Sequence, residues 1–274
     1  MMNQLPNTTL EELVRRAVNG DRKAVHELVW ALQGDIYKLA LRMLWNPADA
    51  EDATQEILVR VVTRLAQFDS KSQLRTWVFR VATNYLLDVK KSATERLQLS
   101  FVRLGEDLEE GLSSEGPADA EHSLLTVEVK IGCTMAMLQC LDRSHRIAYV
   151  LGEILELPMA DAAEALGIEE AAFRKRLERA RERVWSFTRA HCGLVSETAA
   201  CQCNKRVPPA VKIGRVQPER LQFASEPCSF EEARRLVRQV EGARRALELY
   251  RVHGPKDSTV DFARHVASAL DTRP

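Results

Sequence analysis

Residues 46–69 read NPADAEDATQEILVRVVTRLAQFD, and this stretch decides how the chain folds. An asparagine followed by proline marks a helix start: the Asn46 side chain accepts a free amide of the first turn, and Pro47 sits where a missing N–H costs nothing. At about 100° per residue, Ala53, Ile57, Leu58, Val61 and Leu65 fall on one side, and Asp52, Gln55, Glu56, Val59 and Thr63 on the other. Residues 49–56 carry Asp49, Glu51, Asp52 and Glu56 and no base. The acidic side fits a solvated helix face, and it also fits a protein contact, with Val59 as an apolar residue among polar neighbours.

Directly downstream the sign reverses. In LRTWVFRVATNYLLDVKK, residues 74–91, one side of a helix is filled by Leu74, Val78, Ala82, Tyr85, Leu86 and Val89. The remaining arc holds Arg80, Asn84, Asp88 and Lys91, with Trp77 at its edge and Lys90 beside it. Cations hold phosphates, while a ring and a side-chain amide suit unstacked bases, so this arc matches single-stranded nucleic acid. A boundary tryptophan flanked by snorkelling cations has the same pattern.

The same segregation governs the whole chain. Its 274 residues hold 39 basic and 39 acidic side chains, a formal net charge of zero, yet the signs are blocked rather than mixed. Leu104 to Val129 contains no Lys or Arg, whereas 174–189 is rich in Arg. Few aromatics and no long alternating Val/Ile/Thr run predict an all-α protein. The N-terminus lacks a basic patch followed by an apolar core, and no apolar run approaches the ~20 residues that cross a bilayer. A cytoplasmic protein without membrane insertion is expected.

Residues 155–184, LELPMADAAEALGIEEAAFRKRLERARERV, read as a short helix, a turn at Leu166-Gly167-Ile168 and a second helix, which is a helix-turn-helix. Phe173, Leu177, Ala180 and Val184 share a narrow buried arc. Arg174, Lys175, Glu178 and Arg179 face outward, where a helix entering a major groove reads base edges and holds phosphates. Glycine-turned helix pairs also occur in proteins that never touch DNA. Further helix starts are expected at the boxes Thr9/Glu12, Ser229/Glu232 and Ser258/Asp261. The expected organisation is a helical domain over 1–95, an acidic flexible linker over 96–123, a helix-turn-helix domain over 124–190 and an extension over 191–274.

That extension opens with HCGLVSETAACQCNKRV, residues 191–207, which places His191, Cys192, Cys201 and Cys203 within thirteen positions. Zinc takes four soft ligands in a tetrahedron, but the spacing matches no standard C-x-x-C knuckle, and adjacent His191 and Cys192 strain to reach one ion. A zinc site, a thiol redox sensor and inert cysteines all remain open readings. No nucleophile or His/Glu constellation elsewhere suggests an enzyme.

Taken together, 46–69 with 74–91 resemble the second conserved region of bacterial RNA polymerase sigma factors of the extracytoplasmic-function type, and the helix-turn-helix ending RKRLERARERV resembles their fourth region. The match runs over about 22–92 and 130–188. The resemblance implies a transcription initiation factor, not an enzyme, that binds core polymerase (β and β′) and promoter DNA, and that a separate anti-sigma or other regulatory protein can hold in check. It implies that the acidic helix docks on the β′ clamp helices through Asp52, Gln55, Glu56 and Val59. It implies that Asn84 contacts a base of the minus-10 element, that Trp77, Arg80, Lys90 and Lys91 support melting, and that Arg174, Lys175, Glu178 and Arg179 read the minus-35 element as duplex. The acidic linker would thread the polymerase cleft, and the Cys-containing tail would be a regulatory extension. Four residues depart from the pattern: Glu169 and Glu170 stand where relatives place a Ser or Thr cap, Phe173 replaces a smaller residue, and Glu178 repels phosphate unless it accepts from a cytosine amine. Competing functions are a helix-turn-helix regulator independent of polymerase, and a metal- or redox-sensing regulator acting through the cysteines.

Overall fold

The structure, a computed structural model, describes residues 9–69, 73–89, 98–110, 112, 120–252 and 254–271. Those residues form α-helices with no strand. In chain order the helices are α1 (Leu10–Val18), α2 (Arg22–Leu44), α3 (Pro47–Thr63), α4 (Leu74–Asp88), α5 (Phe101–Glu109), α6 (Ala120–Gln139), α7 (Arg143–Tyr149), α8 (Met159–Leu166), α9 (Glu170–His191), α10 (Cys203–Lys212), α11 (Phe230–Arg238), α12 (Arg244–Arg251) and α13 (Phe262–Asp271). None of the described helices is long and apolar enough to cross a membrane.

The helix starts follow from local chemistry. The Thr9 hydroxyl accepts from the Glu12 amide, and Asn46 Oδ1 accepts from the amides of Ala48 and Asp49 at 2.8 and 3.1 Å, immediately before Pro47. Gly167 ends α8 at a φ of 62°, a left-handed conformation that favours glycine, and so turns the chain into α9. Ser229 caps α11 as expected, accepting from Glu232. The last helix begins later than its box predicts. Asp261 is the cap, accepting from the Arg264 amide at 3.0 Å, while the Ser258 hydroxyl accepts from Val260 and donates to Glu51.

The chain divides into two compact units that do not follow sequence order: residues 1–94, 157–174 and 257–274 form one, and 95–156 with 175–256 form the other. In the first, α2 and α3 bury Leu28, Ile36, Leu39, Ile57, Leu58 and Val61. Their packing is joined by α4, by α8 and by α13, so the final helix of the expected extension belongs here. In the second, α10 packs on α6 around Leu125, Val207, Ala210 and Val216. The segment expected to be a flexible acidic linker contains α5, capped by Ser100. Leu104 and Leu108, four apart, bury one side of it, and the Phe101 ring lies 5.2 Å from that of Phe187.

Glu128 belongs to the acid-rich run but is only 5% exposed. Its carboxylate accepts from the amides of Gln222, Phe223 and Ala224 at 2.8, 2.9 and 2.7 Å. These charge-assisted bonds satisfy three donors of a loop without regular structure. Glu128→Ala leaves them unsatisfied, at about 1–3 kcal/mol for each buried group. A loss of about 3 kcal/mol in denaturant unfolding is expected, with the first proteolytic cut moving to the vicinity of 222–224. An unchanged midpoint and digestion pattern would contradict this role.

Candidate functional site

The acidic helix presents a narrower face than its sequence suggests. Asp52 is exposed, and Gln55 and Glu56 are half-buried. The Glu56 carboxylate accepts from Arg60 at 2.8 Å, and the Arg60 guanidinium lies 4.7 Å from the centre of the Tyr85 ring. Burial raises the Tyr85 pKa, and the charges of Glu56 and Asp52 add to the effect. Val59, expected to project as an apolar contact, is 4% exposed and therefore a packed residue here. The helix is flanked on two sides: Tyr85 of α4 approaches Arg60, and α13 runs against α2 and α3. There the Tyr37 and Phe262 rings lie 6.4 Å apart, and Ser258 donates to Glu51 at 2.7 Å.

On α4, Arg80 and Asn84 are exposed and Trp77 is half-buried, its ring 5.8 Å from that of Phe68. Leu74, Val78, Ala82 and Leu86 are buried, as the periodicity predicts, whereas Tyr85 is half-buried rather than core. Lys90 and Lys91 lie outside the described residues. Helix α8, the first of the helix-turn-helix, packs on α4 within the same unit. The Thr83 hydroxyl donates to the Ala165 carbonyl at 2.7 Å, and a Cβ placed on Gly167 would come within 3.9 Å of Arg80 Nη2. No spacing rule links positions 83 and 165, so sequence reasoning missed this neighbour.

Along α9, Phe173, Leu177, Ala180 and Val184 are fully buried, and Arg174, Lys175, Glu178 and Arg179 are all exposed. Glu170, in the first turn, takes Arg174 in an i,i+4 ion pair at 2.7 Å. The pair is solvated and is worth about 0.3–0.5 kcal/mol, so it holds the arginine only weakly.

The His191 ring is not with the thiols. Its Nδ1 lies 3.3 Å from Glu109, its ring lies 4.8 Å from that of Phe187 at a tilt of 35°, and it crowds the face of Gly105. Cys192 and Cys201 oppose each other in a single parallel bridge, in which the Gly193 amide donates to the Cys201 carbonyl. Among the described residues, no group of three or more His, Cys, Asp or Glu side chains is placed so that it could hold a metal ion.

Two family models match the chain: Sigma-70 region 2 over residues 28–96 and Sigma-70 region 4 over residues 131–184. Bacillus subtilis SigW, an ECF RNA polymerase sigma factor, is 29% identical over 178 residues, covering 63% of this chain and 93% of that protein. SigM of the same organism, also an ECF RNA polymerase sigma factor, is 30% identical over 161 residues, 58% of this chain and 92% of the relative. Among solved structures, CnrH in complex with the cytosolic domain of CnrY is 25% identical, with a TM-score of 0.44 over 62% of this chain and 91% of that one.

Proposed function

Because the chain belongs to the extracytoplasmic-function sigma factors of RNA polymerase, we propose that its exposed helix faces divide the work of promoter recognition among themselves. It is an RNA polymerase sigma factor that directs promoter recognition and transcription initiation. The finer assignment supported best gives Asp52, Gln55 and Glu56 to the clamp helices of β′. Trp77, Arg80 and Asn84, with Lys90 and Lys91, go to the minus-10 element as it opens. Arg174, Lys175, Glu178 and Arg179 go to the minus-35 duplex. One observation carries this reading: an acidic α3 face, exposed at Asp52 and half-buried at Glu56, and an exposed Arg80–Asn84 edge on α4 sit in one compact unit. A regulator that binds duplex DNA without polymerase gives the acidic face no task.

No catalytic role is assigned, and the place of action is where polymerase and promoter meet, the cytoplasm. An anti-sigma or other regulatory protein is a further partner of this reading.

Footprinting of a holoenzyme assembled with this chain tests the assignment. Two protected patches are expected, and Arg174→Ala with Arg179→Ala should erase the upstream one. Affinity should fall tenfold or more, since each good arginine–base contact is worth about 1–3 kcal/mol, while polymerase binding is unchanged. Retention of the upstream patch at full strength would refute the role of α9.

A further inference from the structure

The last described helix, α13, belongs to the first unit, although the residues before it, 191–256, belong to the second. Residues 257–271 run along α2 in the reverse direction and are pinned at both ends. The Asp257 carboxylate lies 3.6 Å from the Lys38 ammonium, and Asp271 accepts from Arg22 at 2.9 Å. Arg22 and Lys38 are sixteen positions apart, about 24 Å of helix. Between those ends Phe262, Ala263 and Val266 are buried, the Phe262 ring lies 6.4 Å from that of Tyr37, and the Ser258 hydroxyl donates to Glu51 at 2.7 Å. Helix α13 thereby packs on both α2 and α3.

This hold orders the segment but is weak enough to be given up. A helix of ten residues is below the ~12–15 that are marginal alone in water, so α13 exists because a few apolar side chains seat it. The ion pairs at its ends are solvated: Arg22 and Asp271 are 86% and 56% exposed, Lys38 and Asp257 43% and 73%. Such pairs add little to stability. Arg264, His265, Ala267 and Ser268 are exposed. Short elements with few buried apolar contacts open most readily. Directly before the segment, Lys256 is fixed within the second unit, its amide donating to the Phe223 carbonyl and its ammonium to the Leu221 carbonyl, both at 2.8 Å. An undocked α13 therefore stays tethered and docks again at high effective concentration.

We propose that residues 257–271 are an intramolecular strap beside the clamp-binding side of α3, which core polymerase displaces in order to bind, a role that rests on assigning Asp52, Gln55 and Glu56 to the β′ clamp helices. Glu51, which holds Ser258, precedes Asp52 in the chain, and Gln55 lies one turn beyond Glu51 on the same side of α3. A helix with its side chains is about 10–12 Å across. A clamp helix reaching Gln55 from the side of Glu51 therefore needs the space that α13 fills. Phe262 and Val266, four apart and both buried, are the anchors of an amphipathic helix laid into a groove, so α13 meets α2 and α3 as a partner's helix would. With the strap docked the chain does not accept the clamp, and its apparent affinity for core falls in proportion to the fraction of molecules that are open.

The test uses the full-length chain and core polymerase, read first by hydrogen exchange at peptide resolution. In the free chain the amides of 266–271 should be protected, and on binding core they should exchange about tenfold faster or more, while those of α2 and α3 keep their protection. A full-length Phe262→Ala/Val266→Ala variant, which removes the anchors of α13 and leaves α2 and α3 intact, should bind core about tenfold more tightly than the parent. Because exchange is read on the unmodified chain, it decides the matter even where that variant fails to fold. Retained protection of 266–271 in the complex, or equal or weaker binding by the folded variant, overturns the strap and leaves the sigma function standing. Absence of core binding by both chains refutes that function and the strap with it.

Discussion

Asp52→Lys combined with Glu56→Lys weakens binding to core polymerase about a hundredfold, close to 3 kcal/mol, and the loss shrinks as salt is raised. Both carboxylates lie on the outward side of α3, and neither is committed to the core. Reversal does more than remove attraction to a basic partner surface: it places like charges opposite each other, which costs several kcal/mol at an interface. The folded chain itself loses little. The intramolecular partner of Glu56 is Arg60, an i,i+4 neighbour with both side chains about 40% exposed, a pair worth about 0.3–0.5 kcal/mol. Circular dichroism and the unfolding midpoint should therefore match the parent while co-purification with core fails. Undiminished co-purification would remove α3 from the interface.

Asn84→Ala reduces open-complex formation on duplex promoters tenfold or more while polymerase binding stays within about twofold. The side chain is exposed and has no structural task on α4, whose buried side is filled by Leu74, Val78, Ala82 and Leu86. A primary amide presents a donor and an acceptor together, and loss of such a contact to a base costs about 1–3 kcal/mol. Permanganate reactivity of unpaired thymines measures opening, and retention on immobilised core measures binding. Equal loss of both would show that Asn84 supports the fold or the clamp contact instead of a base.

Local chemistry made much of this legible in advance. Asn46-Pro47 and Gly167 act on their own immediate backbone, so the starts of α3 and α9 could be read without any tertiary knowledge. The exposed quartet of α9 followed from period alone. Features that depend on distant partners were not legible. Val59 has the position of a surface residue and is buried because neighbouring elements flank α3, a fact absent from the helix's own sequence. Glu128 reads as one more acid in an acidic run until the loop at 222–224 aims three amides at it. Helix α5 was obscured by the charges around Leu104 and Leu108. His191 was grouped with the thiols by adjacency, although its ring turns to Glu109 and Phe187.

The most direct measurement is transcription in vitro from genomic promoter fragments by core RNA polymerase with and without the purified chain. Discrete transcripts from defined start sites should appear only when the chain is present, and should vanish with Asp52→Lys/Glu56→Lys. Failure of the intact chain to associate with core at low salt, with no initiation from any fragment, would contradict the function outright.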